Sequence, residues 1–217
     1  MTNLEKYIEH TLLKQDATQE ELEKLYTEAK ENNFLGVCVN PVNVASAKKF
    51  LLDTNVKIVT VVGFPLGASR SEAKAFEAKL AVEDGADEID MVLNVSAMKN
   101  NDYDFVRQDI EQVKVACGDK VLKVILETDL LEKEEIAKAC EICVLAKADF
   151  VKTSTGFVKN GVGAKVEDVK LMSDIVTPSG LGVKASAGIR DKEKALALIE
   201  AGATRFGTSA GVAIVAK

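Results

Sequence analysis

Tryptophan is absent and histidine occurs once, at His10. A single imidazole cannot build the two- or three-histidine sets of most catalytic zinc and transition-metal sites, so no such metal is expected; as a separate expectation, the chain uses no other cofactor. Four cysteines in 217 residues (Cys38, Cys117, Cys140, Cys143) are too few for a disulfide scaffold. Cys140 and Cys143 do form a C-x-x-C, but inside the helix-period run EEIAKACEICVLAKA. Two small apolar residues on a helix face account for them better than a redox pair. With only three prolines and no Ser/Pro/Gly-rich stretch, there is no sign of a linker. No run approaches the ~18 apolar residues of a membrane helix, and MTNLEKYIEHTLL lacks the apolar core of a signal peptide. Positive charge is also short: 28 Lys and Arg against 34 Asp and Glu leave a net −6. Neither nucleic acid nor an anionic membrane is drawn to such a surface. A cytoplasmic protein acting on a small molecule is expected.

What the chain does have is alternation. Short β-rich runs fall at 8–13, 35–40, 57–64, 87–94, 121–128, 149–155, 182–187 and 204–209, with amphipathic helical runs such as TQEELEKLYTEAKEN between them. Thr18 with Glu21, and Ser69 with Glu72, fit the capping-box spacing for helix starts. VEDGADEID and IEAGATRFG each place a glycine where a helix gives way to a strand, as a left-handed helix end requires. VLAKADFV repeats the pattern with Lys147 in place of glycine. Eight β–α units without a break predict an α/β fold, a single-domain TIM (β/α)₈ barrel over residues 1–217. An open doubly wound sheet is the alternative, but its G-x-G-x-x-G fingerprint is missing: GVGAKV lacks the third glycine.

Strand parity then sorts the side chains. In DEIDMVLN, Ile89, Met91 and Leu93 oppose Glu88, Asp90, Val92 and Asn94. In VLKVILET, Leu122, Val124 and Leu126 oppose Lys123, Ile125 and Glu127. DFVKTST sets Phe150, Lys152 and Ser154 against Val151 and Thr153, and GVKASA sets Lys184 and Ser186 against Val183 and Ala185. The apolar face belongs to the helices, so the lumen is expected to collect Lys123, Lys152 and Lys184 with Glu88, Asp90 and Glu127, three charges of each sign. A purely structural ion network is the competing view, but stability alone favours a lumen of Val, Ile and Leu.

Three late strand ends open into small residues: Lys152 into TSTGF, Lys184 into ASAGI, and Arg205-Phe206 into GTSAG. Backbone N–H groups there suit a phosphate, with Gly156, Gly188, Gly207 and Ser209 as candidates. A lumen lysine beside a second lysine and an aspartate suggests amine catalysis. Lysine attacks a carbonyl only as the free amine, and an ordinary pKa of ~10.4 keeps it protonated at neutral pH. Burial and a neighbouring cation can lower it. On this view Lys152 is the nucleophile, Lys184 tunes it, and Asp90 carries protons.

ADEIDMVLN, LKVILETDLL, ADFVKTSTGF, LGVKASAGIR and GTSAGVAIV, with IEHTLLK and VVGFPLGA before them, resemble the deoxyribose-phosphate aldolases in order along nearly the whole chain. The resemblance implies a metal-free class I aldolase that cleaves 2-deoxy-D-ribose 5-phosphate reversibly to D-glyceraldehyde 3-phosphate and acetaldehyde. It implies Lys152 as the Schiff-base lysine, Lys184 as its perturbing partner and Asp90 as the proton relay. Cys38, in VCVN, falls at a family position near the substrate; Thr155 and Ala187 join the glycines as substrate- or phosphate-binding candidates. A sugar phosphate is then the expected partner, and a homodimer the assembly allowed for.

Four departures stand out. Glu9 replaces the family's usual Asp before H-T-L-L. Ala187 stands where glycine usually precedes Gly188. VKNGVGAKVED replaces a short Gly-rich turn. The sequence closes on AIVAK without the Tyr-ended tail of some members. Another Schiff-base barrel enzyme of transaldolase type, or a sugar-phosphate-binding barrel without catalysis, remains an alternative.

Overall fold

The computed structural model describes residues 3–216; Met1, Thr2 and Lys217, included in the 1–217 domain expectation, lie outside the described residues. Strands β1 (Ile8–Leu12), β2 (Gly36–Val39), β3 (Lys57–Val62), β4 (Glu88–Val92), β5 (Val121–Ile125), β6 (Phe150–Lys152), β7 (Gly182–Ser186) and β8 (Arg205–Thr208) close into a parallel barrel in chain order. β8 pairs back onto β1, with Ile8 opposite Phe206. The helices are α1 (Gln19–Glu31), α2 (Val44–Phe50), α3 (Ser71–Glu83), α4 (Val95–Lys99), α5 (Tyr103–Cys117), α6 (Lys133–Leu145), α7 (Val166–Val176), α8 (Lys192–Glu200) and α9 (Gly211–Val215). This is the single-domain TIM barrel that the alternation predicts. Every strand ends earlier than its apolar run, because the last residues of each run leave the ladder to form the upper loops. Among the described residues no helix is long and apolar enough to cross a membrane.

Outward strand residues such as Ile58, Ile89, Leu122, Val151, Val183 and Phe206 are buried in one core with the helices. Register sets Asp90 opposite Lys123 and Lys152 opposite Lys184 on adjacent strands, and other inward charges meet across the lumen.

Helix ends follow the sequence in most places. Thr18 and Glu21 form a reciprocal capping box on α1. Ser69 and Glu72 do not: α3 begins at Ser71 with Arg70 at its N-cap and no side-chain cap. The Glu72 carboxylate faces the Arg70 guanidinium instead, at 3.2 Å, so it is not free to reach back to a cap. Gly85 and Gly202 both sit at φ 107 just past α3 and α8, and Lys147 takes the matching left-handed place after α6 at φ 58. Cys140 and Cys143 lie buried on α6 as free thiols, and burial pushes Cys140 up to about 12.

Candidate active site

Five strands aim their charges at one point. Glu9, Glu88, Asp90, Lys123, Lys152 and Lys184 are all buried in the lumen. Asp90 is the hub. Its Oδ2 accepts from Lys152 Nζ and from Lys184 Nζ, each at 2.7 Å, and its Oδ1 accepts from Lys123 Nζ at 3.0 Å. Lys184 also donates to Glu9. Lys123 lies 2.6 Å from Glu88 and 3.5 Å from Glu9. At the lower end Lys57 reaches Glu88 at 2.8 Å, and Arg205 stands 3.9 Å from Glu9.

The charges set one another's titration. Burial alone pulls Asp90 upward, but Lys123, Lys152 and Lys184 together hold it well below the usual carboxylate range. Burial likewise pulls on Glu88, and Lys123 and Lys57 overcome it to bring the carboxyl to about 2. For Lys184 burial lowers the ammonium pKa, yet Asp90 and Glu9 raise it above the ordinary lysine value. Asp90 and Glu9 thus favour the charged form of Lys184.

The lumen set differs from the parity expectation at one position. Glu127 is not among the lysines' ion-pair partners in the described residues; its place in the charge count is taken by Glu9. β5 ends at Ile125, and Glu127 turns into the left-handed region at φ 61. There its carboxylate accepts the Thr155 N–H at 3.1 Å and the Thr155 hydroxyl. Burial raises its pKa, with the Thr155 bonds opposing. Glu9 was readable as the lone charge on an inward position of IEHTL, a strand too short for parity to be decisive alone.

Above the cluster opens a cavity of about 470 Å³. Lys152 lines it, with Thr155, Gly156, Ala187, Gly188, Gly207 and Ser209, which brings six of the seven expected substrate-side residues together. The seventh, Cys38, does not line it. Cys38 packs beneath, with Leu13, Val59 and Val61, and burial pushes its thiol up. Two cations that motif reading passed over, Lys14 and Arg190, line the rim. Lys14 leans on Glu21 at 2.5 Å, whereas Arg190 has no ion-pair partner among the described residues. Among the same residues no group of three or more His, Cys, Asp or Glu is placed to hold a metal.

The glycines have local reasons as well. A Cβ on Gly188 would fall 2.4 Å from the Val162 carbonyl, and one on Gly207 would fall 2.9 Å from the Ser186 Cβ. Ala187 keeps its methyl at φ 65, in a region that disfavours side chains. The two lysine motifs are also stitched together. The Ser186 hydroxyl donates to the Ser154 carbonyl at 2.6 Å, and the Thr153 hydroxyl takes the Ser186 N–H at 3.0 Å.

The family described as DeoC/LacD family aldolase matches residues 5–217. A deoxyribose-phosphate aldolase of Clostridium novyi is 58% identical over 214 residues, covering 98% of this chain and 95% of its own. One from Lactococcus lactis subsp. cremoris is 55% identical over 212 residues, again covering 98% of this chain and 95% of its own. Among solved structures, the tetrameric deoxyribose phosphate aldolase of Aeropyrum pernix superposes with a TM-score of 0.89 at 34% identity. That match covers 97% of this chain and 88% of the other.

Proposed function

The chain belongs to the DeoC/LacD family of aldolases and is a carbon–carbon lyase; from that premise we propose that it cleaves 2-deoxy-D-ribose 5-phosphate reversibly to D-glyceraldehyde 3-phosphate and acetaldehyde, through a Schiff base on Lys152. The observation that carries this is the shared carboxylate oxygen: Asp90 Oδ2 lies 2.7 Å from both Lys152 and Lys184, directly below the cavity. Lys57 pairs with Glu88, Lys123 with Asp90 and Lys184 with Glu9, so the three carboxylates are matched without Lys152. Lys152 is the lumen lysine left over by that pairing and the one that faces the cavity, which is where a nucleophile must stand.

In the cleavage direction the Lys152 amine adds to the C1 aldehyde, and water leaves the carbinolamine to give a protonated imine. The C3 hydroxyl then loses its proton, the C2–C3 bond breaks, and its electron pair flows into the iminium. C3 leaves as the aldehyde carbon of glyceraldehyde 3-phosphate. The enamine takes a proton at C2, and water releases acetaldehyde. Asp90, anionic at rest, stabilises the iminium and takes up and returns protons through a water, with Lys184 holding it in place. The amides around Gly156, Gly188, Gly207 and Ser209 take the phosphate, with Arg190 adding charge at the rim.

Residues 1–217 form one aldolase domain in this proposal, and the breakdown of deoxyribonucleotide sugar is the role that the reaction fits. A homodimer is the proposed assembly; the tetrameric Aeropyrum pernix relative supports self-association of the fold. A cytoplasmic location belongs to the same proposal. The test is borohydride reduction in the presence of acetaldehyde, with EDTA throughout. The expected result is inactivation with the label on Lys152. A label on Lys184 or Lys123 with Lys152 clean refutes the assignment, and loss of activity on chelation with recovery on zinc refutes the class.

A further inference from the structure

Glu127 takes no part in the chemistry above, yet it is buried, acidic and held in a left-handed backbone that a side chain adopts only under constraint. β5 has already ended, but the turn stays tied to the segment after Lys152. Leu126 N–H donates to the Lys152 carbonyl and Thr128 N–H to the Thr153 carbonyl, each at 2.9 Å. From this turn the Glu127 carboxylate takes the Thr155 N–H at 3.1 Å together with the Thr155 hydroxyl. That hydroxyl in turn accepts the Phe157 N–H at 3.0 Å. The direction of every proton is thereby set: Phe157 N–H points to Thr155 Oγ1, whose own proton points to Glu127. Two residues on, Asp129 accepts the Gly163 N–H at 2.8 Å and lies 3.4 Å from Lys165. One turn thus grips both ends of segment 155–165, whose first residues wall the cavity beside Lys152.

We infer that Glu127 is a positioning residue of the active site: acting through Thr155, its carboxylate holds the Thr155–Gly156–Phe157 turn in the shape that receives the phosphate end of the substrate. The left-handed backbone is what aims the acid at Thr155 and away from the lumen lysines. A carboxylate suits the place because both Thr155 groups donate to it. A carboxamide offers a single acceptor oxygen and turns an N–H₂ toward the hydroxyl, which then competes with Phe157 for the same lone pairs. This inference rests on the proposed reaction, so its test keeps the lysine chemistry as a separate readout.

Glu127→Gln, Thr155→Val and the double variant, all close in shape to the parent, are compared with deoxyribose 5-phosphate as substrate. Each single variant is expected to raise KM about tenfold or more, as loss of a hydrogen bond to a charged group implies, with kcat changed by less than about threefold. Borohydride trapping with acetaldehyde needs Lys152 but no phosphate end, so its rate is expected to stay near that of the parent. The double variant is expected to be no worse than the worse single, because both changes remove one contact. Fold-losses that multiply in the double variant overturn the path through Thr155. Loss of kcat and trapping with KM unchanged overturns positioning in favour of a direct chemical role, and an unchanged KM in folded variants overturns the inference outright. Should Glu127→Gln not fold, Thr155→Ser is expected to keep the parent KM and Thr155→Val to raise it; equal values for the two overturn it equally. Failure of the parent to trap acetaldehyde on Lys152 would instead strike the reaction itself.

Discussion

A lysine in a lumen is interpretable only with its counter-charges in view. Parity alone places Lys152, Lys184 and Asp90 on the inward face, and they meet there within 2.7 Å. It cannot say which carboxylates complete the set, because that depends on where each strand stops. β5 stops two residues short of Glu127, so the acid leaves the lumen, whereas Glu9 lies inside β1 and enters it. This alters the expected part of Lys184. Held by Glu9 and Asp90, it is less a bare repelling cation than the group that occupies Asp90 Oδ2 from the far side. Removing it leaves Glu9 without its nearest cation and gives Asp90 Oδ2 to Lys152 alone. Lys184→Leu is accordingly expected to cut kcat/KM about a hundredfold near neutral pH, the result of an equal loss of free amine at Lys152, with partial recovery at pH 9–10. The check is a pH profile of kcat/KM from 6 to 10, alongside the rate at which an amine reagent inactivates the enzyme. A variant with the parent's alkaline reactivity at Lys152 would show that Lys184 does no tuning; one without recovery at high pH would make it an obligatory proton donor.

At the level of elements, the eight strands and their order were readable because barrel strands are short apolar runs set off by helix starts and glycine-marked helix ends. The faces of the helices were less so, and α3 shows why. SEAKAFEAKLAVE points Phe76 and Leu80 outward, 61% and 44% exposed, and buries Lys74 completely. Periodicity assumes that apolar residues mark the inner face, and here a buried ion pair reverses it. Lys74 Nζ donates to Asp109 on α5 at 2.6 Å and to the Val92 carbonyl, at the end of the strand that carries Asp90, at 3.0 Å. No pattern within one helix predicts a partner 35 residues away. Lys74→Met is expected to destabilise the fold by about 3–5 kcal/mol, because it strands a buried carboxylate, whereas Lys74→Met with Asp109→Leu should recover much of the loss. Denaturant midpoints of the two variants decide it. Equal losses would mean that the pair contributes through shape and not charge.

Across the whole molecule, the lumen is an electrolyte core inside a hydrocarbon shell, and its stability should depend on pH in a way the outer core does not. Glu88 is depressed from 4.5 to about 2, and Asp90 is held well below its ordinary value. A depressed carboxylate stabilises the fold fully above its unfolded pKa and loses that contribution as pH falls through the folded one. The loss therefore belongs to the window from about pH 4.5 downward, and each tenfold difference in proton affinity between folded and unfolded chain is worth about 1.4 kcal/mol. Glu127 has the opposite sign: its pKa is raised, so protonation in acid relieves a burial cost and does not drive unfolding. Lys123 is the probe, since it touches Glu88 at 2.6 Å, Asp90 at 3.0 Å and Glu9 at 3.5 Å. At pH 7 Lys123→Met should be less stable than the parent, because buried carboxylates lose a cation. Between pH 6 and pH 3 the parent's lumen carboxylates stay ionised while those of its unfolded chain take up protons, and the methionine variant, whose carboxylates are less depressed, shares less of that loss, so the gap in Tm between them should narrow from pH 6 to pH 3. Thermal melts of both across that range measure the gap directly. If it stays constant, the acid sensitivity comes from the surface, and the charged lumen is held in place by its hydrocarbon shell alone.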